Sequence, residues 1–137
     1  MSVKRSRANW QIHDRIISKL TKILGNQGKY VKANPGVEID PLRSVKRGNV
    51  LVYPDLVVIS LVTGKSTELF EVETEDTVDS EEVWEWHLFN AGKEKFYLIV
   101  PEGSVERAKE LIREKGFSIA GLGYYDSAHN ISLPQGV

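Results

Sequence analysis

Two short stretches carry the residues best suited to chemistry: Tyr53-Pro54-Asp55-Leu56 and Phe70-Glu71-Val72-Glu73-Thr74. Both place carboxylates inside segments that otherwise read as buried strands, where an isolated charge is expensive unless it has a partner. Glu71 and Glu73 are two residues apart and share one face of their strand. Whether Asp55 joins them depends on hairpin register. If Val62-Thr63-Gly64 is a three-residue loop with glycine in the left-handed position, Leu61 pairs with Lys65. Counting back without a bulge then sets Asp55 opposite Glu71. Side chains so opposed have Cβ atoms roughly 4.5–5.5 Å apart. Two carboxylates that close call for a cation between them, and hard oxygen donors suit magnesium, manganese or calcium. A loop changed by one residue puts Asp55 on the other face.

The elements that must position these groups follow from periodicity. Residues 9–24 show helical spacing, with Trp10, His13, Ile17, Leu20 and Leu24 on one stripe and Ile12, Ile16 and Ile23 beside it, and Gly25 as the stop. A short strand over 30–33 ends at Asn34-Pro35-Gly36. Residues 49–61 read as one long strand whose run Leu56-Val57-Val58-Ile59 is apolar on both faces, hence central in a covered sheet. A strand over 67–74 follows, then a helix from about 79 bearing Val83, Trp84, Trp86, Leu88 and Phe89. Next come a buried strand at 96–100, a helix capped by Ser104 and closed by Gly116, a strand over 117–125, and an irregular tail. The order predicts an α/β domain with a mixed sheet.

The chain has 137 residues, enough for one core. It has no cysteine, which excludes disulfides, thiolate zinc sites and cysteine nucleophiles. No apolar run is long enough to span a bilayer, and none follows the basic N-terminal residues as a secretory signal requires. The expectation is a cytoplasmic protein with no membrane association. Eighteen basic and 19 acidic residues give a net charge of −1, more neutral than a dedicated nucleic-acid binder. The basic residues cluster, however, at Lys4, Arg5 and Arg7 and at Arg43, Lys46 and Arg47, flanking acids crowded between Glu68 and Glu85. That arrangement suits a protein holding a cation and a polyanion together, although solvated surface charge explains each cluster equally well.

Pro54-Asp55 in one strand and Glu71-x-Glu73 in its partner resemble the PD-(D/E)xK nuclease superfamily. The likeness covers about residues 9–100, including the order of elements. It implies a restriction-endonuclease-like αβββαβ core and hydrolysis of nucleic-acid phosphodiesters, most simply DNA, with Mg2+ or Mn2+. Asp55, Glu71 and the Val72 carbonyl would bind the metal, and Asp14 on the first helix is where the family often adds an acid. Glu73 stands where the family has its lysine. It would serve as a further ligand or a general base, or Lys93 or Lys95 would take the lysine's place, or catalysis is lost and a binding or assembly module remains. The loop Arg43, Lys46, Arg47 and the arm Lys4, Arg5 would contact phosphates, and the broad apolar face of the second helix offers a homodimer interface. His13 reads first as a core histidine, and Asp14 as solvent-facing. Trp84 and Trp86 read as core or interface before base stacking. Glu75, Asp76, Asp79, Glu81 and Glu82 read as a solvated loop and helix start. His87 and His129 have no partner at ligand spacing.

Overall fold

A computed structural model describes residues 5–34 and 45–137; Lys4 and Arg43 lie outside them. The described residues are mixed α/β, with three α-helices and a six-stranded mixed sheet. Helix α1 (Arg7–Asn26) begins at Ser6, whose hydroxyl accepts the Asn9 N–H, and runs one residue beyond Gly25. Strand β1 (Tyr30–Ala33) follows. The expected long strand over 49–61 is two strands. β3 (Val50–Val52) pairs with β2 (Val45–Arg47) as a separate ribbon, and β4 (Leu56–Ile59) belongs to the main sheet. Pro54 lies at the break, where a residue without an N–H cannot continue a central ladder. β5 (Ser66–Val72), α2 (Glu82–Phe89), β6 (Lys95–Pro101), α3 (Val105–Lys115) and β7 (Gly121–Tyr125) complete the expected order. The tail is not wholly irregular, since β8 (Ile131–Ser132) pairs with β7.

The sheet order is β1-β4-β5-β6-β7-β8, with β5, β6 and β7 parallel and the other neighbours antiparallel. Alternation along each strand divides the core into two layers. On one face, Ile16, Ile17, Leu20 and Leu24 of α1 pack on Leu56, Phe70, Val72 and Ile99. On the other, Val83, Trp86 and Phe89 of α2 and Ala108, Leu111 and Ile112 of α3 pack on Val57, Leu69, Phe96 and Leu98. β6 is therefore apolar throughout its middle, as a strand covered on both faces must be. Glu71 and Glu73 continue the row of Leu69 and so point towards α2.

A candidate metal centre

The register around the acids is the expected one, reached by a different route. Val58 pairs with Glu68, Val57 with Leu69 and Leu56 with Phe70, so the next step sets Asp55 beside Glu71. The loop is longer than three residues: the Ser60 N–H donates to the Lys65 carbonyl, which leaves 61–64 as the turn. Ile59 pairs with Ser66, and Thr67 is an extra residue on β5. This β-bulge cancels the one-residue difference in the loop.

Asp55 and Glu71 interlock through the backbone. The Asp55 N–H donates to Glu71 Oε1 at 3.1 Å, and the Val72 N–H donates to Asp55 Oδ2 at 2.7 Å. Asn34 holds the entry to β4 by donating its N–H to the Asp55 carbonyl and its side-chain amide to the Pro54 carbonyl. Both acids are nearly closed to solvent, at 8% and 5% exposed. From α1, buried His13 brings Nε2 within 3.1 Å of Asp55 Oδ1, although the ring N–H direction leaves Nε2 without a hydrogen bond. Asp14 meets the opposite ring nitrogen at 3.0 Å. Asp14 thus acts on the carboxylates through His13, and its side chain is 42% exposed.

Glu73 is wholly buried and saturated. Its Oε1 accepts from Arg5 Nη2 at 2.8 Å and from the Thr77 hydroxyl at 2.7 Å, while Oε2 accepts from the Trp86 indole at 2.6 Å. Arg5 Nη2 also donates to the Val72 carbonyl at 2.9 Å, the backbone oxygen expected to face a metal. Glu82, read from sequence as a solvated helix start, turns inward at 5% exposure. One carboxylate oxygen each from Glu71, Glu73 and Glu82 lies within 4.8 Å of the others. Half-buried Glu85, one turn further along α2, approaches Glu71. The spacing of Glu82, Glu85 and Trp86 on one helical face was the available clue; two acids in a polar segment resemble solvated charge until the helix is docked.

These contacts shift the protonation of each group. Burial, followed by Asp55, Glu73 and Glu85, holds Glu71 well above the usual carboxylate range. Burial and then Glu82 push Glu73 upward against the pull of Arg5, Trp86 and Thr77. Burial raises Glu85. Asp55 is lowered: burial opposes its charge, but His13 and the donors from β5 outweigh it. For His13, burial disfavours the cation and the Asp55 carboxylate more than compensates, so its pKa is raised. Among the described residues Glu71 has no ion-pair partner. Comparison of the chain with models of protein families, with curated proteins and with solved structures returned no match.

Four sequence expectations need correction. Arg5 is not a free arm for phosphates, because its side chain is 9% exposed and engaged by Val72, Glu73 and Thr74. Arg47 caps the end of α2, donating to the Leu88 and Phe89 carbonyls and pairing with Glu94. Lys46 alone of the described loop cations is exposed. Lys95 pairs with Glu68 in register, three residues, about 10 Å, from the level of Glu71. Alternation also turns it to the opposite face from Glu71. Lys93 lies further back still, in the exposed turn before β6, so neither lysine is brought beside Glu71. No helix among the described residues is long and apolar enough to cross a membrane.

Proposed function

We propose that this chain is a divalent-metal-dependent nuclease with a restriction-endonuclease-like core, holding Mg2+ or Mn2+ at Asp55 and Glu71 and hydrolysing phosphodiester bonds of nucleic acid, DNA in the first instance. The observation that carries this reading is the pairing of Asp55 with Glu71 at the ends of adjacent strands, with Glu71 buried and lacking an ion-pair partner among the described residues. A buried carboxylate beside another carboxylate needs either a proton or a cation. The donor set is oxygen-rich and hard, as these ions prefer. Set aside the β2–β3 ribbon, and α1, β1, β4, β5, α2 and β6 follow the αβββαβ order of that core. A metal here would polarise a phosphate and lower the pKa of a bound water. Exposed Trp84 and Leu88 on α2 supply the apolar surface for a homodimer, which sedimentation would report as a two-chain species.

A second reading, a non-catalytic member of the same fold serving as a nucleic-acid-binding or assembly module, is favoured by Glu73. It occupies the lysine position and is tied down by Arg5, Thr77 and Trp86. Calorimetric titration of Mg2+ and Mn2+ into wild type and Asp55→Ala, with cleavage assays on duplex, branched and single-stranded DNA, separates the two. Binding lost in the variant together with metal-dependent nicking supports the nuclease. Binding without cleavage supports the module. No binding to wild type, with or without DNA, removes the metal centre.

A further inference from the structure

The carboxylates divide into two halves joined by Glu71. On one side stands Asp55, against His13 and the Val72 N–H. On the other stand Glu73 and Glu82, and the oxygens of Glu71, Glu73 and Glu82 are close enough to surround an ion. The two halves differ in how they are satisfied. Among the described residues Glu71 accepts one N–H donor, from Asp55, and otherwise meets the carboxyls of Asp55 and Glu85. Glu73 accepts three, one of them a guanidinium.

We propose that Arg5 is the built-in cation of the second half and limits the centre to one divalent ion, held at Asp55 and Glu71. The inference rests on the metal-dependent reading above and defines its stoichiometry. Arg5 Nη2 bridges Glu73 Oε1 and the Val72 carbonyl, the two oxygens a second ion next to Glu73 would need. Its Nε donates to the Thr74 hydroxyl at 3.1 Å, and its guanidinium carbon lies 4.9 Å from the Trp10 ring centre. The side chain is therefore fixed by three kinds of contact, and a guanidinium brings a permanent positive charge to them. The segment that carries it is fixed as well. The Ser6 N–H donates to Asp76 Oδ2, and Asp76 Oδ1 accepts the Thr74 hydroxyl, tying the start of α1 to the loop after β5. A dication sharing those oxygens would sit within a few ångströms of a fixed positive charge in a desolvated pocket, where repulsion is strong.

Mn2+ stoichiometry, measured by equilibrium dialysis with metal analysis on wild type, Arg5→Gln and Glu73→Gln, tests this directly. Wild type is expected to take one ion per chain, Arg5→Gln two, and Glu73→Gln one with affinity within about twofold of wild type. Two ions in wild type, one in a folded Arg5→Gln, or a tenfold loss of affinity in Glu73→Gln each overturn the proposal. If Arg5→Gln does not fold, wild type and Glu73→Gln decide. Zero ions in wild type removes the metal-dependent reading along with this one, whereas two ions removes this one alone.

Discussion

At the residue scale, the centre is a set of acids whose individual surroundings assign them different work. Asp55 and Glu71 share a backbone-locked corner, whereas Glu73 is held by donors from α2, the following loop and the N-terminal segment. Trp86 is the donor from α2, so Trp86→Phe leaves Glu73 Oε2 without its indole partner. Leaving a buried acceptor short of a donor costs about 1–3 kcal/mol. Urea unfolding of the variant should show that loss with little change in Mn2+ affinity, since the indole N–H donates to Glu73 and not to Asp55 or Glu71. A large affinity change at unchanged stability would place Glu73 among the ligands.

At the element scale, small backbone devices decide where the side chains arrive. The bulge at Thr67 keeps Asp55 level with Glu71 despite the four-residue turn. At the far edge of the sheet, Gly123 makes room for the tail to return as β8. A Cβ at this position would meet the Ser132 carbonyl at 2.7 Å, Pro134 Cδ at 2.8 Å and Ile99 Cδ1 at 2.9 Å. The backbone oxygen cannot yield without breaking the β7–β8 pairing. Gly123→Ala should therefore destabilise by about 1–3 kcal/mol, the usual scale of overpacking, and raise amide exchange around residues 131–134. Unchanged exchange there would show that the tail is not held by this fit.

At the scale of the whole molecule, the buried acids tie stability to pH and, on the proposed metal-dependent reading, to metal. Glu71 and Glu73 have folded pKa values above the ordinary 4.5, so the metal-free fold binds those protons more tightly than the unfolded chain does. Stability consequently falls as pH rises from about that value through the raised ones. His13 acts in the same sense: its contribution is complete below 6.5 and fades as pH climbs through its raised pKa. Asp55, lowered from 3.8, works at the acid end, where its contribution is lost as pH falls. The metal-free melting temperature should decline between pH 6 and pH 8.5. Saturating Mn2+ should raise it more at pH 8 than at pH 6, because the ion replaces protons already lost. An equal increment at both values would mean that the ion does not bind these carboxylates.

Much of the architecture was written in local pattern. The apolar stripe of α1, the continuous apolar runs of β4 and β6 and the glycine after α3 need no tertiary information, because periodicity and backbone sterics act over a few residues. Asp55, Glu71 and Glu73 were also legible, since charge inside a buried strand needs a partner wherever the strand is placed. What each acid meets was not legible. The turn after β4 is longer than expected, and a bulge of equal and opposite effect restores the register; neither leaves a distinct mark in the sequence. Arg5 and Glu73 are 68 positions apart in the chain and 2.8 Å apart in space. Glu82 and Glu85 look like solvent-facing charge until α2 packs on the sheet. Sequence by itself therefore determined which groups had to be neutralised, because burial follows from local hydrophobic pattern. Tertiary structure alone decided that Arg5 pairs with Glu73 and that Glu71 has no ion-pair partner among the described residues, because that choice depends on which distant segments dock together.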